Sequence, residues 1–526
     1  MYPGSIPGEA SIIFRLVRNR RSHFAFVWPA LRGAIYVKLH IWCVFTPASL
    51  RITMRLSYRK RVIHVRPHTI GAVIMTFSRP LLASVAVLAL SLSSGFAQAE
   101  TIETALARAY ATNADLNAQR ASVRAVDEQV PRAKSGYLPR LSASAQGGKE
   151  NSTYNGSEAN LTPRSLGLTV TQNLYNGDRT ANQIDAAEAG VLAARAGLRQ
   201  SEQVVLLNAA TQYMNVVRDE AVVRLRTANI NVLKEQLRQT QDRFQVGEVT
   251  RTDVAQVEAQ LAAAEADLST AETSLAVSRA SYGQVVGAEP VDLADAGPIS
   301  KGLPGSLKEA LNVGESAHPQ LQAARFAVEV AEATVRSTEG ELKPSVDLQG
   351  SLTRAWDYKA SNDELSDAKL LGVLSVPLYE AGEVSARVRA AKQVLGQRQL
   401  EADSARLAVR SAIAGAWSQF ETANARLKSA KAQIAAAEIA LNGVREEAKV
   451  GQRTTLDVLI SNQNLLGAQV NLVSAQHDRV VASYQVLASV GRLSAAGLGL
   501  KVAAYDPKKH YEATKGRATG TDLSAH

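Results

Sequence analysis

The sequence predicts a mostly α-helical chain with a small transmembrane β portion, built as a duplicated half-molecule. Long helices would form an α-helical barrel, and four strands per chain would contribute to a shared 12-stranded β-barrel in a homotrimer. Three observations carry this. Landmarks recur about 205 residues apart: Leu106 and Leu311, Leu116 and Leu321, Arg120 and Arg325, Pro139 and Pro344. Two proline-free windows, 164–289 and 378–506, are rich in Ala, Leu, Gln, Glu and Arg, which are strong helix formers. Between the helical segments of each copy, short stretches alternate apolar and polar residues. A repeat this long is no solenoid unit; it marks two copies of one element set side by side.

Residues 1–74 read as an over-extended start with no structural part. Residues 75–99 read as a signal peptide: Arg79, an apolar run over 81–92, then Ala97-Gln98-Ala99, with cleavage before Glu100. Residues 1–99 hold 13 Lys/Arg against Glu9 alone; taking that +12 from the whole-chain +10 leaves −2 for the rest. The basic pI is therefore no sign of nucleic-acid binding. Cys43, the only cysteine, also falls before the cleavage point, so disulfides, thiol chemistry and a lipidated N-terminus are excluded from the mature chain.

The first structural repeat spans 100–290 and opens with a half-length helix over 102–135. Strands follow at 141–146 and 165–171, the second alternating strictly through Leu166, Leu168 and Val170. A long helix is expected over 178–245, where Ile184, Val191, Leu198 and Val205 recur every seven residues. Its 68 residues would extend about 100 Å. Gly247 ends it, and a second half-length helix covers 253–286. After a linker at 291–304, the second repeat (305–500) gives helix 307–340, strands 345–353 and 371–376, long helix 383–450 and helix 456–490. Leu459, Leu466, Val473, Val480 and Leu487 keep the seven-residue period there. The polar tail 501–526 reads as disordered.

Strands of about ten residues match a tilted membrane crossing. Tyr137, Tyr175 and Tyr379 fall where strands meet helices, and Trp356 with Tyr358 falls near the far end, as two aromatic girdles would. Four strands cannot close a barrel, and an open edge is not tolerated in lipid. Three chains would supply twelve, and the helices would then surround a conduit.

The phrase Val246-Gly247-Glu248-Val249-Thr250-Arg251-Thr252-Asp253 returns as Val450-Gly451-Gln452-Arg453-Thr454-Thr455-Leu456-Asp457, and Leu174-Tyr175-Asn176-Gly177 has a counterpart at 378–382. With the duplication, these residues resemble the TolC family of outer-membrane channel proteins used in efflux and type I secretion. The resemblance implies a homotrimer embedded in outer-membrane lipid of a Gram-negative envelope, with its helical part in the periplasm. Its periplasmic tip would engage an adaptor (membrane-fusion) protein and, through it, an inner-membrane efflux pump or ABC transporter. Tip opening would be an iris-like shift of helices. By the same resemblance Thr252, Asp253 and Arg453 match positions that lock the tip, and Asp457 matches an acidic ring. Val246, Gly247, Val450, Gly451 and Thr454 match adaptor-docking turns. Ala448 and Ile460 depart from the family pattern, which weakens the expected lock. Read locally, Thr250-x-x-Asp253 and Thr454-x-x-Asp457 are helix-capping boxes.

No catalytic motif, cofactor-binding motif or metal-ligand spacing appears; His318, His477, His510 and His526 are scattered. An enzyme is not expected, nor is a cofactor. The alternative is a periplasmic adaptor or structural coiled coil without a pore, which would leave the alternating strands unexplained.

Overall fold

The computed structural model describes residues 38–46, 49–57 and 99–522. The chain divides into two units, Met1–Gly95 and Phe96–His526. In the first, β1 (Lys38–Thr46) pairs antiparallel with β2 (Ser49–Ser57), from Lys38↔Ser57 to Thr46↔Ser49. This corrects the expectation of no structure in 1–74: Leu50, Ile52, Met54 and Leu56 alternate with polar residues at the strand period. The signal peptide, up to Gln98, lies outside the described residues.

The second unit opens with α1 (Ile102–Thr112), α2 (Ala114–Asp127) and α3 (Gln129–Lys134). One helix was expected here, and two local features divide it. The Asn113 side chain accepts from Leu116 N at 3.1 Å and so caps a new helix. Pro131 lacks an N–H, and its ring crowds the carbonyl of Asp127, where α2 ends. Then come β3 (Arg140–Gly147), β4 (Glu150–Tyr154), β5 (Ser157–Leu161) and β6 (Arg164–Tyr175). The 67-residue α4 (Arg179–Gln245) and α5 (Arg251–Val286) complete the first copy.

The second copy repeats the plan. It comprises α6 (Leu307–Ala317), α7 (Pro319–Glu339), β7 (Ser345–Trp356), β8 (Glu364–Ser375), the 67-residue α8 (Glu383–Lys449) and α9 (Thr455–Ser489). The α6–α7 break sits at His318, 205 residues after Asn113, where the imidazole Nδ1 accepts from Gln320 N and Pro319 takes the first helical position. Each long helix is about 100 Å at 1.5 Å per residue.

The main sheet has the order β3-β6-β7-β8, antiparallel throughout. β4 and β5 form a separate hairpin that strand reading missed. Its turn is Asn155-Gly156, both at positive φ (48° and 81°), the two-residue hairpin chemistry. The principal core gathers Leu106, Leu116, Leu206, Tyr213, Tyr282, Leu487 and Leu493, where half-length helices of both copies meet α4. The seven-residue stripe lies inside: Val191, Leu198, Val205, Leu459, Leu466, Val480 and Leu487 are buried.

The described part of the tail, 501–522, is folded, contrary to the expectation of disorder. After α10 (Ala495–Leu498), α11 (Pro507–Thr514) is capped by Asp506, whose carboxylate accepts from Lys508 N at 2.9 Å. His510 Nδ1 meets Asp127 Oδ2 at 3.1 Å, and Tyr505 N donates to Tyr110 Oη at 3.1 Å, tying the tail to α1 and α2. Tertiary contacts order a segment too short to show periodicity.

Candidate functional site: a membrane sheet and a helical tip

Register sorts the sheet into two faces. Leu141, Val170, Gly350 and Leu370 stand in one cross-strand row, and Ala143, Leu168, Leu352 and Ala368 in the next. These rows share one face because same-face residues recur every second position. The opposite face carries Ser142, Ser144, Thr169, Thr171, Ser351, Thr353, Asp367 and Lys369. On the apolar face Leu141 is 67% exposed and Leu370 is 73% exposed. A bare leucine face beside a polar one is the pattern of strands lying between lipid and water. Tyr137 and Tyr175 flank the helix end of this sheet and are exposed, as is Tyr379 in the segment before α8; Trp356 ends β7 and Tyr358 follows it at the far end.

At the helix end the backbone is tightly packed. A Cβ on Gly177 would lie 2.2 Å from the carbonyl oxygen of Gly340, and one on Gly340 would lie 2.4 Å from that of Gly177. Gly177 and Asp178 also take positive φ, 69° and 64°. This is how strand β6 turns abruptly into α4 against the end of α7.

The other ends of α4 and α8 carry twin turns. Gly247 (φ 80°) and Gly451 (φ 78°) hold the left-handed conformation. Glu248 N reaches Arg243 O at 3.0 Å, and Gln452 N reaches Glu447 O at 2.9 Å, closing each helix with a Schellman-type bond. Val246 and Val450 are the exposed C-cap residues.

Both capping boxes form. Asp253 Oδ2 accepts from Thr250 N at 2.9 Å and Thr250 Oγ1 at 2.7 Å; Asp457 Oδ2 accepts from Thr454 N at 2.9 Å and Thr454 Oγ1 at 2.8 Å. Bonds to Thr250 hold the Asp253 carboxyl below its ordinary pKa, and bonds to Thr454 do the same for Asp457.

Each turn is stapled by one ion pair of swapped polarity. Arg243 Nε lies 3.0 Å from Glu248 Oε2, and Arg453 Nε lies 2.8 Å from Glu447 Oε2. The Glu447 carboxylate raises the Arg453 pKa. Sequence reading missed Glu447, although opposite charges bracketing a C-terminal glycine were its signal.

Between the turns runs a groove of about 980 Å³ whose walls include Asp253, Gly451, Arg453 and Thr454. Thr252, Val246, Gly247, Val450 and Asp457 are not in its lining. Deeper, Asn462 Nδ2 donates to Asn229 Oδ1 at 2.8 Å and Gln260 Nε2 to Gln463 Oε1 at 3.2 Å, joining the two copies by polar links.

Residues 105–288 and 313–492 match the family described as "Outer membrane efflux protein". The chain belongs to the outer membrane efflux protein family. Within the family, it is 39% identical over 428 residues to the outer membrane efflux protein BepC of Brucella suis, spanning 81% of this chain and 92% of that one. It is 25% identical over 427 residues to the outer membrane protein TolC of Escherichia coli, spanning 77% and 85%. The fold is that of the Campylobacter jejuni CmeC outer membrane channel (TM-score 0.68, 16% identity, 79% of this chain and 89% of that one). An outer membrane efflux protein is a channel protein of the Gram-negative outer membrane, and the reading as a pore-less periplasmic adaptor falls.

Proposed function

We propose that three copies of this chain assemble into one conduit, an exit duct that crosses the outer membrane as a 12-stranded barrel and continues through the periplasm between the helices. The observation that carries this is the pair of sheet edges, β3 and β8, that have no strand partner among the described residues. Unsatisfied strand edges are costly in lipid, and closure removes them. A partner's β3 beside β8 continues the strict antiparallel alternation, since an even strand number separates equivalent positions. The helices support the same reading. α4 packs against α2 on one side and α7 on another, whereas α8 packs chiefly on α6, α7 and α9 and leaves Leu400 and Leu407 exposed. A neighbour's α2 on α8 would complete the pattern.

Cleavage before Glu100 fits the packing of that residue. Its N–H donates to Asp292 O at 2.9 Å, and its carboxylate lies 3.1 Å from Arg108, so the mature N-terminus would begin inside the fold. At the tip, Thr252, Asp253 and Arg453 act as the closing residues, with Asp457 facing the lumen. Docking of a periplasmic adaptor on the Gly247 and Gly451 turns opens them toward an inner-membrane efflux pump or a type I secretion transporter.

The assembly test is disulfide trapping. In the isolated sheet β3 and β8 are three strand spacings apart, about 14 Å, too far for a disulfide. Cysteines scanned along 142–146 of β3 against 366–370 of β8 should give covalent trimers in outer membranes; a monomer at every pair overturns the assembly. Arg453→Ser should raise single-channel conductance and susceptibility to large antibiotics, and unchanged conductance removes Arg453 from the lock.

A further inference from the structure

Apart from the tip groove and the lipid-facing sheet, against the sheet-side part of α4, lies a cavity of about 540 Å³. Four parts of the chain wall it: the first copy, the start of α7, the segment after α9 from Gly491 to Ala496, and the C-terminal tail from Ala504 to Lys508. Its size is that of a small-molecule site. Arg195, on α4, stands 16 residues past Arg179, about 24 Å along the helix from the sheet, so the cavity opens to the aqueous side.

The lining has a consistent chemistry. Arg120, Arg195, Arg199 and Lys508 supply four cations, and Glu202 is the only carboxylate. Glu202 is engaged, accepting from Ala495 N at 2.7 Å. Counting Asp127, which lies behind Arg195 at 3.7 Å, cations still exceed carboxylates by two. Arg120 is fully committed: it donates to Asn117 Oδ1 and Tyr110 O and is sandwiched between the Tyr110 and Tyr505 rings at 4.5 and 5.2 Å. Arg199 donates to Gln322 and lies in the field of the Glu202 carboxylate, while neither it nor Lys508 forms a direct ion pair among the described residues. Between these cations the walls are apolar, with Leu192, Leu198 and Phe326 among them. Leu192 is 40% exposed, a large apolar side chain left uncovered beside an excess of positive charge.

We propose that this cavity binds an amphipathic organic anion, a fatty-acid-like molecule whose carboxylate sits between Arg199 and Lys508 and whose alkyl chain lies along Leu192, Leu198 and Phe326. Charge alone would suit an inorganic ion, and apolar wall alone would suit a neutral alkane; their combination selects a molecule with both parts. The tail forms one wall through Tyr505 and Lys508, so the occupant also fastens the C-terminus to the body.

The test uses the full protein in nanodiscs, because detergent chains would compete for the apolar wall. Laurate, dodecanol and inorganic phosphate are compared by thermal unfolding and by isothermal titration. Laurate should raise the melting midpoint by several degrees, while the other two at equal concentration leave it in place. Arg199→Gln combined with Lys508→Gln should weaken laurate binding at least ten-fold. An equal shift with dodecanol means simple partitioning and overturns the site, as does an equal shift with phosphate or an unchanged affinity in the double variant. Should the double variant fail to assemble, Lys508→Gln alone must weaken laurate several-fold, and wild-type affinity there overturns the proposal.

Discussion

Asp253 and Asp457 show how single carboxylates set the tip. Each gives its own helix a first-turn acceptor, and the bonds that do so hold both carboxyls below the ordinary value of 3.8. A group depressed in the folded state stabilises it above the unfolded pKa, and that contribution is lost as pH falls through the folded value. The tip turns should therefore be indifferent to pH from 7 to 5 and loosen below about pH 4. Hydrogen exchange at the Thr250 and Thr454 amides checks this, and Asp457→Asn should abolish the acid response at Thr454. The Gly177–Gly340 contact makes the opposite kind of demand. Gly340→Ala puts a methyl against a backbone carbonyl, which cannot step aside, and should cost about 3 kcal/mol. Chemical denaturation measures it; a loss below about 1 kcal/mol means the two backbones can separate cheaply. At this scale the capping boxes were legible because three-residue spacing is local. The partner of Arg453 was not, because Glu447 reaches it only after Gly451 reverses the chain.

Among the elements, the long helices were the most legible. Proline-free windows and a glycine at each end bound α4 and α8 within a residue of expectation. The interruptions at Asn113 and His318 were not anticipated, since one capping side chain outweighs a continuous run of helix formers. The β4–β5 hairpin was passed over because its residues are polar on both faces, leaving only Asn155-Gly156 to betray it. The main sheet offers a two-sided test. Leu168→Arg places a charge on the apolar face and should destabilise the inserted barrel by about 2–4 kcal/mol. Thr169→Arg, one residue on, points the other way and should leave folding near wild type while changing ion selectivity. Urea-dependent folding into lipid vesicles measures the first, and reversal potentials measure the second. Equal costs at both positions would mean the faces are wrongly assigned.

For the whole molecule, duplication was the deciding signal, and it survives in the structure as paired landmarks: Asn113 with His318, Gly247 with Gly451, Thr250 with Thr454. What duplication could not reveal is where the copies differ. The tail serves the first copy, where His510 meets Asp127 and Tyr505 stacks over Arg120. Removing residues 504–526 should lower the melting midpoint by several degrees while leaving the sheet and tip turns intact, as read by heat denaturation and by trimer recovery. An unchanged midpoint would show the tail to be ornamental.

The hairpin of β4 and β5 also belongs to the first copy alone; the matching link in the second is the short stretch between Trp356 and Glu364, pinned by Asp357 to Thr162 at 3.0 Å. In the proposed trimer, the cell-exterior rim would therefore bear three tall projections alternating with three low saddles. Anything arriving from the medium would find threefold rather than sixfold handholds. Sequence drift under such pressure should concentrate in one half of the gene.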